Sequence, residues 1–343
     1  MITVRRISRI WLTLTACAWM LPLQALEIKI ASVAPDGSGW MRAMRDAAER
    51  IRAATDDRVI FKFYPGGVMG DDAQILRRIR VGQLHGGAFA SGGLADLYPA
   101  LQAYGVPLLF RSLEEVDFVR ERLDPELQAG LEAAGFISFG FIEGGFAQFL
   151  SAEPVRSVED LKRRKVWIPE GDPISLLSLE TLGVSPVPLP VTDVMTALQT
   201  GLLDVVASSP VVALVLQWHT RVSYVTDLPV AYSYGIFAID ARSFGRIAAS
   251  DQHVVRDIMT ETVTSLDSTA RDDNRRALQA MLDVGIQPVR VDTASLGGWR
   301  AAIESTFPRL RSRSELMDAD LFDRLLSALG QYRSDIATAA TAP

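Results

Sequence analysis

Cysteine is almost missing from these 343 residues: Cys17 stands alone, so no intrachain disulfide can form and no cysteine cage for zinc is available. Histidine is nearly as scarce, and His85, His219 and His253 have no metal-ligand spacing between them, so neither a metal nor a cofactor is expected. Positive charge is not in excess. Against 41 Asp and Glu stand 35 Lys and Arg, a net charge of −6, which argues against nucleic acid as a partner. A chain that is 48% hydrophobic and 22% charged is not disordered either. Beyond the first 25 residues no stretch approaches the roughly 20 apolar residues of a membrane span. The sequence also lacks the usual marks of an enzyme. Gly66-Gly67-x-x-Gly70 has no Lys-Ser/Thr to make it a phosphate loop, and Ser91 in FASGG has no first glycine of a nucleophile elbow. No His, Cys and Asp converge in a motif, and no catalysis is expected.

What is present begins with a targeting segment. Arg5, Arg6 and Arg9 precede an apolar run from Ile10 to Leu23, and Leu23-Gln24-Ala25 offers a small residue at a cut, so residues 1–25 read as a cleavable secretory signal. Leu14-Thr15-Ala16-Cys17 resembles a lipoprotein signal, but Ala18 to Leu23 continues apolar where a polar tether is wanted. Removing residues 1–25 takes away three arginines and no acid, leaving 318 residues and moving the net charge from −6 to −9. At about 100 to 200 residues per domain, that length predicts two domains.

The hydrophobic periodicity predicts strands at Glu27–Val33, Val59–Tyr64 and Ala88–Ala90, with helices over Trp40–Ala54 and from Asp71 or Asp72 to Gly82. That alternation is a βαβαβ unit, which calls for a parallel sheet with a ligand at the C-terminal strand ends near Ala34, Pro65 and Ser91. A second set of α/β signals runs from about Gly140 to Pro210, with strands at Phe146–Ser151, Val166–Ile168, Val187–Leu189 and Leu203–Ala207 and helices at Pro173–Leu182 and Asp193–Thr200. Gly201 stands where a helix ends on a left-handed residue. Between Asp251 and Asp283 neither Pro nor Gly occurs and apolar residues recur at helical spacing. A helix of about 30 residues is roughly 45 to 50 Å long, more than one small domain is wide, so it must run across both lobes.

Four segments carry a family resemblance: IKIASVAPDGSGW (Ile28 to Trp40), FYPGGVMGDD (Phe63 to Asp72), SVEDLKRRKVWIP (Ser157 to Pro169) and GVSPVPLPVTDVMTALQTGLLD (Gly183 to Asp204). Over about Glu27 to Met317 the chain resembles the substrate-binding subunits of tripartite ATP-independent periplasmic (TRAP) transporters. The resemblance implies an α/β periplasmic binding protein fold of two lobes, each a mainly parallel sheet flanked by helices, joined by crossing strands and the spanning helix. It implies lobe I from residues 26–144 and 234–273, lobe II from 145–233 and 274–335, and a tail at 336–343. It further implies a periplasmic protein that closes on a small molecule and delivers it to two inner-membrane permease subunits driven by a sodium gradient. A carrier or sensor subunit using the same trap without that permease is the alternative. Oligomeric state is not legible, and the helices after Asp292, with Trp299, Phe307, Leu310 and Leu321, are expected to pack on the second lobe.

The chain departs from the pattern at one position. In most of the family the strand after the DLKGLK-like segment carries an arginine that clamps a ligand carboxylate, and here that position is Trp167. A guanidinium offers five rigid donors and an indole one. The second arginine of the sialic-acid binders falls at Ala147. Candidate ligand residues are Phe89, Phe146, Trp167, Val191, Trp218 and Tyr232, with Ser91, Gln148, Glu170 and Ser209 as polar contacts. They predict a neutral, apolar or weakly acidic ligand, such as a hydrophobic small molecule or a lipid-like monocarboxylate. Core packing competes with a ligand role for each aromatic, and for Trp218 and Tyr232 it is favoured. Lys165, two residues back on the same face as Trp167, is the one cation placed to restore anion binding, and Asp71-Asp72 reads as a helix cap.

Overall fold

The computed structural model describes residues 25–291 and 293–341. The signal segment and Cys17 lie outside the described residues. β1 (Leu26–Ala31), α1 (Gly39–Ala54), β2 (Val59–Tyr64), α2 (Asp72–Arg80) and β3 (Gly86–Ala90) follow the predicted order. Each helix has a chemical start. The Ser38 side chain accepts from the Met41 N–H and the Asp71 side chain from the Gln74 N–H, satisfying donors left orphaned in a first turn. β2 and β3 flank β1, both parallel to it, as the βαβαβ reading requires.

α3 (Leu113–Ala133) then leads into β4 (Phe136–Ser151), which is far longer than the Phe146–Ser151 strand expected from the sequence. After β4 come α4 (Val158–Lys162), β5 (Trp167–Pro169), α5 (Pro173–Thr181), β6 (Val187–Leu189), α6 (Val194–Thr200), β7 (Val205–Ser208) and α7 (Pro210–Val215). Gly201 ends α6 at φ +71°, the left-handed position anticipated for it. β8 (Tyr224–Asp227) and β9 (Ala231–Asp240) follow, then α8 (Ala241–Phe244), α9 (Ala249–Asp283), β10 (Gln287–Arg290), α10 (Thr293–Glu304), α11 (Phe307–Arg311) and α12 (Ala319–Thr341).

The strands form a mixed sheet in the order β10-β8-β4-β9-β3-β1-β2, with β7 also on β4, and β5-β6 make a separate parallel pair. The strands of the βαβαβ unit are parallel as expected, and every antiparallel pairing involves β4 or β9. β9 returns from the second lobe and inserts antiparallel between β3 and β4. β4 joins the lobes: Phe136–Ala147 pairs with β9, whereas Gln148–Ser151 pairs with β7 and Leu150–Ser151 with β8. Its register slips twice, between Ser138 and Phe141 and between Glu143 and Gly145. At both places a glycine takes a left-handed φ, +123° at Gly140 and +82° at Gly145. Irregularities of this kind bend a strand and increase its twist.

α9 has 35 residues, about 52 Å at 1.5 Å per residue. Its Met259 is buried with Ile28, Phe61 and Phe237, while its Met281 is buried with Trp167, Leu150 and Trp218, so one helix passes between two separate cores. The C-terminal helices depart from expectation. α10 does contribute Trp299, whose ring lies 6.5 Å from that of Phe149. α12, however, buries Leu321, Phe322, Leu325 and Leu329 and lies along α3, tied by Arg324 to Glu126 and by Arg333 to Glu115. It continues as helix to Thr341, where a tail from 336 was anticipated. No helix among the described residues is long and apolar enough to cross a membrane.

Candidate ligand-binding site

The first wall is made by the C-terminal ends of β1, β2 and β3. Their loops are stitched by backbone bonds, Gly66 N–H to Ala34 at 2.9 Å and Gly67 N–H to Ser32 at 3.0 Å, which the left-handed φ of both glycines permits. Of the adjacent acids, only Asp71 caps α2. The Asp72 Oδ2 instead accepts from the Ala90 N–H at 3.1 Å, at the end of β3 and hard against Gly93. Desolvation pushes its carboxyl up to about 7, with the neighbouring Asp71 charge adding to the shift and the Ala90 bond opposing it. Ser91 is partly buried and opens the short turn beside it.

The second wall carries Trp167, only 5% exposed. Its ring packs edge-on against Trp218 at 5.3 Å, and its N–H donates to the Leu189 carbonyl at 2.9 Å, so both its face and its donor are in use. Lys165 donates to the Gly201 carbonyl at 2.6 Å and so has its own partner away from Trp167. Glu170 is exposed at the end of β5, and Val191 begins the turn Val191–Asp193. That turn touches the first wall: a Cβ on Gly67 would fall 2.9 Å from the Thr192 methyl.

At the base, Phe146 faces Tyr232 across the ladder with ring centroids 5.9 Å apart, and Gln148 faces Ser208. The Gln148 Oε1 and the Ser209 Oγ are buried and accept or donate no hydrogen bond within the protein. Buried polar atoms rarely stay unpartnered. Tyr232 is a buried anchor, 1% exposed, its hydroxyl accepting from Arg120 at 3.1 Å and facing Glu143 at 3.4 Å. Phe89 and Trp218 are likewise packed inward, Phe89 edge-on against Phe136 at 6.5 Å. Of the candidate residues, Glu170 is exposed and Ser91, Phe146, Gln148 and Val191 are partly buried, whereas Phe89, Trp167, Ser209, Trp218 and Tyr232 are buried.

Two contributors escape a reading of the sequence. Asp72 is hidden there by its neighbour, although two adjacent acids cannot both cap one helix. Asn274 on α9 donates to the Gly144 carbonyl at 3.0 Å and accepts from the Val211 N–H at 3.3 Å, pinning the spanning helix where β4 crosses. Beside it lies a network of charges. Arg120 reaches Asp124 at 2.9 Å, Asp267 at 3.0 Å and the Phe141 carbonyl at 3.2 Å, while Arg271 holds Glu143 at 2.9 Å and also Asp117. A groove of about 540 Å³ opens above this network between α3, β4 and α9, but its charged lining is paired within itself.

Two walls of α/β architecture, a crossing strand and a helix shared by both cores are matched by one family model, described as bacterial extracellular solute-binding protein, family 7, over residues 30–312. The chain belongs to this family, the substrate-binding subunits of TRAP transporters. The sialic acid-binding periplasmic protein SiaP of Vibrio cholerae is 23% identical over 340 residues, covering 96% of this chain and 97% of its own. Among solved structures, the sugar acid binding protein of Advenella mimigardefordensis in complex with galactonate superposes with a TM-score of 0.81 at 18% identity, over 90% of this chain and 98% of that one. A TRAP solute binding protein from Xanthobacter autotrophicus with bound β-D-galacturonate gives 0.79 at 20% identity, over 88% and 99%. This TRAP subunit therefore has the two-lobed fold of a solute-binding protein, and its family is one of binding proteins rather than enzymes.

Proposed function

We propose that this TRAP subunit captures a neutral or weakly acidic organic molecule between its lobes in the periplasm, after export on the signal of residues 1–25, and hands it to the membrane permease. The lobes expected from the sequence, 26–144 with 234–273 and 145–233 with 274–335, frame this reading, except that α12, which those bounds give to the second lobe, lies along α3 of the first. The observation that carries the reading is Trp167. An indole whose only donor already serves Leu189 cannot replace a guanidinium fork, and Lys165 is engaged at Gly201. Two charge-assisted bonds at about 1.5 to 3 kcal/mol each are forgone. On the opposite side Asp72, its carboxyl pushed up to about 7, adds no cation to offset the missing fork. Gln148 and Ser209 supply orientation through hydrogen bonds, and Phe146 and Val191 supply apolar contact.

The relatives whose names state a ligand bind acids, sialic acid and sugar acids among them. A sugar acid held by neutral groups alone is the competing reading, and the unpartnered Gln148 Oε1, which could accept from a sugar hydroxyl, and Ser209 hydroxyl, which could donate or accept, are what favour it. Native mass spectrometry of protein purified from its own periplasm identifies the guest, and calorimetric titration with succinate, sialic acid and galactonate ranks the two readings. A co-purified uncharged or lipid-like molecule, with no micromolar binding of the acids, is expected. Micromolar affinity for any of the three acids overturns the proposal.

A further inference from the structure

Among the described residues four helices start on a serine, and one of them does not use it. Ser38, Ser112 and Ser157 stand before α1, α3 and α4, and each hydroxyl accepts from the backbone N–H three residues on, at 3.2, 3.4 and 3.2 Å. Ser209 stands before α7 with the same extended backbone, φ −72° and ψ 151°, yet its hydroxyl caps nothing. Pro210, at the first helical position, has no N–H, so the first donor that α7 leaves orphaned is the Val211 N–H. That donor goes to the Oδ1 of Asn274 on α9, at 3.3 Å. The amide is oriented from its other side: Nδ2 donates to the Gly144 carbonyl at 3.0 Å and to the Ala270 carbonyl at 3.1 Å, and turning it over would set its oxygen against two carbonyls. Room for it comes from the crossing strand, where a Cβ on Gly145 would lie 2.8 Å from Nδ2. Ser209, 3% exposed, is thereby relieved of capping, and its Oγ is buried without a partner.

We propose that Asn274 is a positioning residue for the cleft: it caps α7 in place of Ser209 and so keeps the Ser209 hydroxyl free for the guest. The proposal rests on the reading of Ser209 as a guest contact given above. The two side chains compete for one task. When Asn274 is removed, the Val211 and Val212 N–H groups lie within the reach usual for a serine N-cap, and rotation about χ1 turns the hydroxyl back onto the helix. A hydroxyl committed there has its lone pair engaged and its direction fixed, and it is lost to a guest at the base.

The test is a cycle of Ser209→Ala, Asn274→Ala and the double variant, read first on the empty mature protein. Ser209→Ala should melt no lower than the parent while Asn274 is present. In the Asn274→Ala background the same change should lower the melting temperature by about 1 to 2 °C, the effect of one cap in a chain this long. Exchange of the Val211 amide hydrogen should accelerate by about tenfold or more only in the double variant. Asn274→Asp, which keeps the acceptor, should protect that amide as the parent does even if its fold is weakened. Equal effects of Ser209→Ala in the two backgrounds overturn the exchange of caps, and since no guest is involved this result stands apart from the reading of the cleft. The second arm follows the co-purified molecule by its mass in native mass spectrometry during stepwise dilution. It should dissociate from Asn274→Ala and from Ser209→Ala at a concentration about 2- to 13-fold higher than from the parent, one hydrogen bond's worth, and from the double variant no earlier than from Ser209→Ala. Retention equal to the parent's in all three variants would withdraw Ser209 from the cleft, and with it the positioning role of Asn274.

Discussion

The strand crossing and the second wall of the cleft lie next to each other and are built from opposite materials. At the crossing, Arg120 and Arg271 are surrounded by Asp117, Asp124, Glu143 and Asp267, with the Tyr232 hydroxyl among them. At the second wall, Trp167 and Trp218 pack with Val194, Ala197 and Val206 in a dry cluster. A joint that must keep α3, β4 and α9 in register gains from directional bonds that only one arrangement satisfies. A wall that closes over a guest gains from shape. The contrast teaches that paired charges fix the crossing of α3, β4 and α9, whereas the Trp167 cluster is assembled without them.

Breaking the joint should have the largest effect. Arg120→Ala leaves Asp124 and Asp267 without their cation and is expected to cost about 3 to 5 kcal/mol, as for other buried pairs broken from one side. Urea unfolding measures it, and a loss under about 1 kcal/mol would mean the network is solvated after all. The matching change in the wall is Trp167→Phe. It keeps a ring but removes volume and the donor to Leu189, with an expected cost of about 1 to 3 kcal/mol. The two variants separate the regions further in their salt response. Arg120→Ala should lessen the salt dependence of stability and Trp167→Phe should leave it as it was.

Only one side of this contrast is legible in the sequence. The strand–helix alternation of the first lobe, β2 at Val59–Tyr64, the left-handed Gly201 and the spanning helix are local patterns, set by period and punctuation. The long β4 reads too short because Gly140, Gly144 and Gly145 interrupt the alternation, although these glycines are what lets the strand bend from one lobe into the other. The network at the crossing joins residues up to 154 positions apart, such as Arg271 and Asp117, and no local window contains it. Trp167 is legible as a missing cation, but its orientation is not, since a three-residue strand leaves its facing to the partners Leu189 and Trp218. Proximity along the chain assigns α12 to the second lobe, whereas the Arg333–Glu115 and Arg324–Glu126 pairs hold it on α3.

A smaller effect is expected from the first wall, and its sign is set by pH. Asp72 holds its proton more tightly when folded, with the carboxyl at about 7 against an ordinary value of 3.8. The folded state therefore binds more protons between these limits, so its stability is highest below about pH 4 and falls as pH rises toward 7. Because Asp72 is only partly buried, the loss should be on the order of 1 to 2 kcal/mol rather than the full shift converted at about 1.4 kcal/mol per unit. Asp72→Asn should remove this slope, so that the variant matches the parent at pH 4 and exceeds it at pH 8. Parallel melting curves for both proteins across that range would remove Asp72 as the uncharged face of the cleft.

The smallest effect is the most specific to the cleft. Ser209 is 3% exposed, and its hydroxyl finds no partner within the protein, while the Gln148 amide oxygen close by on the neighbouring strand is in the same position. A buried hydroxyl with no partner destabilises the empty protein, so Ser209→Ala should be neutral or more stable by up to about 1 kcal/mol. In the loaded protein the sign should reverse: if the hydroxyl bonds the guest, the same variant loses about 0.5 to 1.5 kcal/mol of binding, roughly 2- to 13-fold in affinity. Melting before and after adding back the co-purified molecule gives both numbers from one pair of samples. A variant that is less stable when empty would show the hydroxyl already serving the fold, and the base of the cleft would then face inward in the same way that Trp167 does above it.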